Sequence, residues 1–248
     1  MKIVITGSNS FVGKLFRVIL SSDHELILLS SSSFSKVIIQ WQLTDHFPDQ
    51  CKDADLFIHL AYDYSHSKYS NVIKLIENIE VLNNEKAFHV FFSSYSARVG
   101  TNSNYGNNKL LLEEFFINKK STIVRPGLIV GTQGLYEKMR SLASYLFIIP
   151  IPFNETKSIP LCKENDLISF ILKIISSITL NIPPPKEINL YDKNLVSIKE
   201  LFQDVMQLKR IYMKFPYTLI YFVIILAEKI GLKLPVTSDN FRGYFANQ

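Results

Sequence analysis

Six short apolar runs, separated by stretches of helical period, constrain this chain more than any other feature. "KIVIT" (2–6), "ELILLS" (25–30), "KVIIQ" (36–40), "DLFIHLA" (55–61), "AFHVFFSS" (87–94) and "STIVRP" (121–126) are near-continuous in Ile, Val, Leu and Phe, as strands buried on both faces are. Between them, "GKLFRVILSS", "SNVIKLIENIEVL" and "YGNNKLLLEEFFINK" space their apolar residues by three and four. In the second of these, Val72, Leu75, Ile76, Ile79 and Leu82 fall on one helical face. The alternation predicts an α/β fold, a doubly wound parallel sheet with helices on both sides.

From residue 132 the pattern loosens around Pro150, Pro152, Pro160 and the "PPP" at 183–185. Helices are expected near 164–177 and 197–209, flanking a strand "EINLY". Residues 1–131 are therefore expected to form the sheet core, and 132–248 mostly a smaller lobe with some segments returning to the core. A length of 248 residues with 47% hydrophobic and 20% charged composition suits one compact unit of this kind.

Composition also narrows the function. Cys51 and Cys162 lie far apart without a CxxC partner, so neither a disulfide framework nor a thiolate metal site is expected, and a reducing cytoplasm suits them best. Met1 runs straight into a strand-like segment, so no secretory signal is expected. The net charge of +5 is spread along the chain rather than gathered into a stripe, which argues against nucleic acid. His24, His46, His66 and His89 lack metal-ligand spacing, and no metal is expected. His59, inside an apolar run, reads as a core histidine.

The turn "TGSNSFVG" (6–13) sits between the first strand and the first helix, where backbone N–H groups and a positive helix end receive a pyrophosphate. Gly7 would allow the tight turn and Gly13 the close helix–sheet contact, while Asn9 tolerates left-handed backbone. Ser10 stands where a third glycine is usual, and its hydroxyl can itself donate to a phosphate. The second strand ends in Ser30, Ser31 and Ser32 rather than in a carboxylate that would hold a ribose diol. With Lys36 nearby, this modestly favours NADP over NAD.

"FFSSYSARVGTNSNYGNNKLLLEE" adds chemistry. Tyr105 and Lys109 are four apart at a helix start and share one face. A tyrosine hydroxyl titrates near about 10, and a neighbouring ammonium lowers that by favouring the phenolate. Tyr105 can then exchange a proton with a substrate hydroxyl, while Ser94 at the preceding strand end hydrogen-bonds the same oxygen.

With these motifs in order, the chain resembles the extended short-chain dehydrogenase/reductases, the NAD-dependent epimerase/dehydratase family. "ITGSNSFVG", "FIHLA", "YSNVIKLIEN", "SSYSARVG", "YGNNKLLLE" and "VRPGLIVG" carry the likeness over most of the chain. The resemblance implies a Rossmann-type sheet with a small C-terminal substrate-binding lobe and a nicotinamide cofactor, NADP or NAD. It implies a triad of Ser94, Tyr105 and Lys109, the lysine also binding the nicotinamide ribose. Cofactor contacts are expected from Gly7, Asn9, Ser10, Phe11, Val12, Gly13, Ser30, Ser31, Gln42, Leu60, Ala61, Tyr105, Lys109, Pro126 and Gly127. Gln42 stands where the family commonly has an aspartate near the adenine. Ser94 and Tyr105 are separated by a short span, and Tyr95-Ser96 lacks the acidic pair of family dehydratases, so dehydration is not expected.

The activity expected is oxidoreduction or epimerisation at a carbonyl or secondary alcohol of a nucleotide-activated sugar, with that sugar as small-molecule partner and a homodimer admitted. Alternatives are a catalytically inactive cofactor-binding regulator or scaffold, and a reductase of a non-sugar ketone. "FPYTLIYFVIILA" (215–227) is too short to span a bilayer and is expected to be a buried helix of the lobe, with contact to a membrane surface as the rival.

Overall fold

The computed structural model describes all residues except 33–34, 63–68, 154, 233, 235 and 246–248, with 69, 240 and 243–245 described by backbone alone. Its centre is a seven-stranded sheet of β1 (Lys2–Thr6), β2 (Glu25–Ser30), β3 (Ile38–Gln40), β4 (Leu56–His59), β5 (Phe88–Phe92), β6 (Ser121–Pro126) and, much later in the chain, β10 (Glu187–Leu190). Their order across the sheet is β10-β6-β5-β4-β1-β2-β3 and every pairing is parallel. The order reverses between β1 and β4, where Ile3 pairs Leu56 and Ile5 pairs Ile58, and crevices at the C-terminal strand ends open at such a switch point.

Alternate strand residues feed two apolar layers. On one side Ile3, Ile5, Ile58, Val90, Phe92 and Val124 pack under α1 (Phe11–Leu20) and α5 (Glu164–Thr179) through Phe16, Leu20, Leu167, Phe170 and Ile171. On the other, Val4, Phe57, Phe91 and Ile123 pack under α2 (Tyr69–Leu82) and α3 (Asn104–Ile117). Val72, Leu75, Ile79 and Leu82 are buried there as the spacing requires, with Ile76 half-buried. The third run is shorter than expected, since only 38–40 of "KVIIQ" pairs at this sheet edge.

A second, smaller core gathers Leu128, Tyr136, Ile151, Ile159, Ile198, Leu201 and Met206. Its elements are β7 (Leu128–Val130), α4 (Gly134–Tyr145), β8 (Ile148–Pro152), β9 (Leu161–Lys163), α6 (Ile198–Glu200) running into a wide turn at Leu201–Val205, and β11 (Ile211–Phe215). The helix expected over 197–209 thus holds α-geometry for a single turn. Two-stranded parallel pairs, β8 with β11 and β7 with β9, went unread in the sequence. Pro150 and Pro152 in β8 are tolerated because each strand of a two-stranded sheet has a free edge.

The chain ends with α7 (Tyr217–Lys229) and α8 (Ser238–Phe245). The expectation of a buried helix over 215–227 is corrected here. Only Ile224 and Ala227 of α7 are buried, while Leu219, Phe222, Val223 and Leu226 stand in the open. The length and hydrophobicity of the segment were read correctly, but among the described residues one side of it packs against nothing. No helix among the described residues is long and apolar enough to cross a membrane.

Candidate functional site

The turn after β1 is built by close approach. Gly7 has φ +68°, and a Cβ there would lie 2.8 Å from the backbone nitrogen of Ala61. A Cβ on Gly13 would lie 2.5 Å from the carbonyl oxygen of Gly7. No real side chain tolerates either distance, so both glycines are required by backbone packing. Ser10 has φ −66° and ψ 166°, a conformation open to any L-residue, so nothing about its backbone asks for glycine. It is the N-cap of α1, its Oγ accepting from the Gly13 N–H at 3.1 Å. The first-turn N–H groups of Phe11 and Val12 have no intrahelical acceptor and mark the positive end of the helix.

Beneath this turn, Ser8 is fully buried and its Oγ has no hydrogen-bond partner, unusual for a buried hydroxyl. Asn9 Nδ2 donates to the Ser32 carbonyl at 2.5 Å and ties the turn to the end of β2. Leu60 and Ala61, following β4, both donate backbone N–H groups to Thr6 Oγ1 at 3.2 Å. The Ser30 carbonyl accepts from the Trp41 N–H at 2.8 Å, which brings the exposed Gln42 to the same corner as Ser30 and Ser31. The Asp45 carboxylate there accepts from the Gln42 N–H at 2.8 Å and closes a local turn.

A second group of residues gathers past the end of β5. Lys109 is buried, and its Nζ donates to the Phe92 carbonyl at 2.7 Å. It lies 5.0 Å from the Tyr62 ring centre and 5.8 Å from that of Tyr105. Tyr62 and Tyr105 meet edge-to-face with centroids 4.7 Å apart, and Asn108 Nδ2 donates to the Tyr62 hydroxyl at 3.3 Å. Burial lowers the Lys109 amine to about 7, with Glu113 one turn along the helix pulling the other way. Burial thus opposes the charge on this amine, and Glu113 supports it.

Ser94 is buried two residues beyond β5, and its Oγ accepts from the Ser96 N–H at 3.2 Å. Gly106 lets the first turn of α3 press on this loop, because a Cβ there would meet the Ser96 carbonyl oxygen. Ser94, Tyr105 and Lys109 thus share one corner. Pro126 and Gly127 border it, the Pro126 carbonyl accepting from the Tyr95 N–H at 3.1 Å. Behind the corner, Glu113 takes two hydrogen bonds from Arg125, one of them at 2.9 Å from Nε, and a third from Ser93 Oγ. Arg125 Nη1 also bonds Glu187 at 2.7 Å, and these partners hold its guanidinium well above the usual range.

Tyr62, Asp239, Ser8 and Glu113 were not singled out from sequence. Tyr62 could have been, as the residue directly after Ala61 at a strand end that faces the crevice. Asp239 carries no local signal, because it reaches α3 from the far end of the chain: its carboxylate accepts from Ser103 Oγ at 2.8 Å and from the N–H groups of Asn104 at 2.8 Å and Tyr105 at 3.2 Å. His59 is a core residue, hydrogen-bonded to His89 at 3.0 Å and stacked on Phe57. Among the described residues no cluster of His, Cys, Asp and Glu could hold a metal.

No protein-family profile matches the sequence, and no curated protein matches it. Solved structures do. The chain is similar to an NAD-dependent NDP-hexosamine 5,6-dehydratase, TunA, of tunicamycin biosynthesis, at 16% identity and TM-score 0.67 over 87% of this chain and 85% of that one. It is similar to a hypothetical dTDP-4-dehydrorhamnose reductase from Sulfolobus tokodaii at 19% identity and TM-score 0.64, over 98% and 93% of the two chains. It is also similar to UDP-N-acetylglucosamine 4-epimerase from Bacillus cereus, at 14% identity and TM-score 0.62 over 87% and 85%. The fold these structures share with the chain is a Rossmann-like parallel α/β sheet flanked by helices. At these identities the likeness is one of fold.

Proposed function

We propose that this protein is an oxidoreductase or epimerase that holds NADP(H) or NAD(H) at the Gly7–Gly13 turn and acts on a carbonyl or secondary alcohol of a nucleotide-activated sugar. The observation that carries this reading is Lys109, which lies beside the Tyr105 ring and bonds to the carbonyl of Phe92, two residues before Ser94, at the same C-terminal sheet edge as the glycine turn. The turn suits a dinucleotide pyrophosphate. A Cβ at Gly7 or Gly13 would collide with the backbone that shapes it, the Ser8 hydroxyl beneath it lacks a partner, and the N–H groups of Phe11 and Val12 begin a helix there.

The nicotinamide, when bound, supplies a site that gives or takes hydride. The chain's own residues do the rest. Tyr105 exchanges the proton with the substrate oxygen, and Ser94 donates a hydrogen bond to that oxygen as charge grows on it. Lys109, anchored by the Phe92 carbonyl, favours the phenolate of Tyr105 whenever it is charged, and stands ready for the ribose. Pro126 and Gly127 form the adjoining wall. Ser30, Ser31 and Lys36 offer hydroxyls and a cation in place of an acid, which favours NADP. One similar fold is a dehydratase, so the fold itself does not bar dehydration. The bar is local: Tyr95 and Ser96 carry no carboxyl group to act as acid and base. The ordinary backbone of Ser10 removes the main reason to read the protein as a regulator that has lost its cofactor.

Calorimetric titration with NADPH and NADH, followed by a panel of sugar nucleotides with mass detection, tests the reading. Binding of both with NADPH the tighter, and turnover of at least one sugar, is expected. Failure of both dinucleotides to bind would refute it, and clearly tighter NADH would overturn the preference for NADP.

A further inference from the structure

Helix α7 is an apolar segment of 13 residues with only one side in use. Tyr217 and Tyr221 stack on Phe241 of α8 at 4.9 and 6.5 Å, and Glu228 accepts from the Ser238 N–H at 2.8 Å. Ile224 and Ala227 complete this held side. The opposite side carries Leu219, Phe222, Val223, Leu226 and Ile230, exposed by 46%, 60%, 54%, 48% and 66%. Their spacing places them on one stripe roughly 100° wide, the width of an ordinary core-facing stripe. A water-facing helix side would be polar, and this one is among the most apolar parts of the chain. Ile211 and Met213 of β11, which runs through Pro216 into α7, extend the exposed apolar surface.

Cations outnumber acids in the segment that carries the stripe, although Asp204 acts on Tyr212 of β11. Between residues 208 and 231 lie Lys209, Arg210, Lys214 and Lys229, all exposed, against the single acid Glu228, which is engaged with α8. Lys209 and Arg210 also line, with Lys199 and Phe147, a cleft of about 490 Å³ beside β11.

We propose that the bare side of α7 docks on an anionic phospholipid surface, lying in the plane of the interface. A helix of this length measures about 20 Å, against a hydrocarbon core of about 30 Å, so it lies on a bilayer rather than crossing it. Charge selects the occupant. A second copy meeting this face across a two-fold axis would bring two sets of these cations to one interface, whereas anionic headgroups complement them. The inference rests on α7 and stands whether or not Tyr105 is catalytic.

Flotation with phosphatidylcholine vesicles, and with vesicles that also contain phosphatidylglycerol, is the test. The protein is expected to float with the anionic vesicles and to be released by salt. Phe222→Ser with Leu226→Gln should lower the partition at least about tenfold, and Lys209→Glu with Arg210→Glu should do likewise. Both pairs are exposed, so an unchanged thermal transition will certify that the variants fold. No flotation, or flotation unaffected by the Phe222/Leu226 pair, overturns the proposal. So does a concentration-dependent dimer, seen by sedimentation, that the same pair dissociates, for a second copy is then the occupant.

Discussion

Asp239 closes the start of the helix that carries Tyr105, accepting from the Tyr105 backbone N–H at 3.2 Å although the two residues are 134 apart in sequence. It also accepts from Asn104 N–H and Ser103 Oγ, so one carboxylate satisfies several donors at a positive helix end. Asp239→Ala should cost about 0.5–2 kcal/mol, as losses of helix caps do. For a chain of this size that is a fall of roughly 2–4 °C in Tm per kcal/mol. Asp239→Asn, which accepts through one oxygen only, should keep part of it. Calorimetry giving equal midpoints for all three proteins would show that α8 does not secure α3.

Ser10→Gly tests whether the serine hinders the phosphate turn. Because Ser10 already has an ordinary backbone conformation, glycine should bring no gain in dinucleotide affinity and should lose a few tenths of a kcal/mol of capping. A large rise in affinity by calorimetry would mean that the Ser10 side chain obstructs the ligand.

Glu113 is 6% exposed and meets Arg125, Ser93 and, through Arg125, Glu187. Glu113→Gln removes the charge and leaves the guanidinium with Glu187 and partial water. The cost should be about 2–3 kcal/mol, below the roughly 3–5 of a fully buried pair. Urea unfolding measures it, and a loss under about half a kcal/mol would contradict the pairing.

His59 and His89 share a hydrogen bond inside the sheet, and burial drives both downward, His89 to about 4 and His59 well below its usual range. The folded protein holds them neutral while the unfolded chain protonates them near about 6.5. Their depressed values contribute stability that is present above that pH and is lost as pH falls toward about 4. The urea midpoint should drop between pH 7 and pH 4.5, roughly speaking, and His59→Leu with His89→Leu should flatten that drop. An equal slope in the double variant would assign the acid sensitivity elsewhere.

The central sheet was legible because strands buried on both faces need continuous apolar runs, and "KIVIT", "DLFIHLA" and "STIVRP" are such runs. The turn at Gly7 and the Tyr105–Lys109 pair were legible because their geometry is local. Asp239 and the Glu113–Arg125 pair are set by packing between distant segments, and no local pattern announces them. The same limit explains α7. Its apolar content was visible, but burial depends on what the rest of the chain brings to its far side. The charge state of Lys109 likewise follows from burial, which spacing does not report.

Tyr105→Phe is the most direct test of the proposed chemistry, because it keeps the ring that packs against Tyr62 and removes only the hydroxyl. Turnover of the sugar nucleotide identified by screening should be followed for wild type and variant, with dinucleotide affinity measured on the same samples. Affinity should be preserved while kcat falls about 10²–10⁴-fold, the range for removal of a general acid–base group. A variant that turns over at the wild-type rate with intact cofactor binding would contradict the assignment of Tyr105 as the proton-transfer residue.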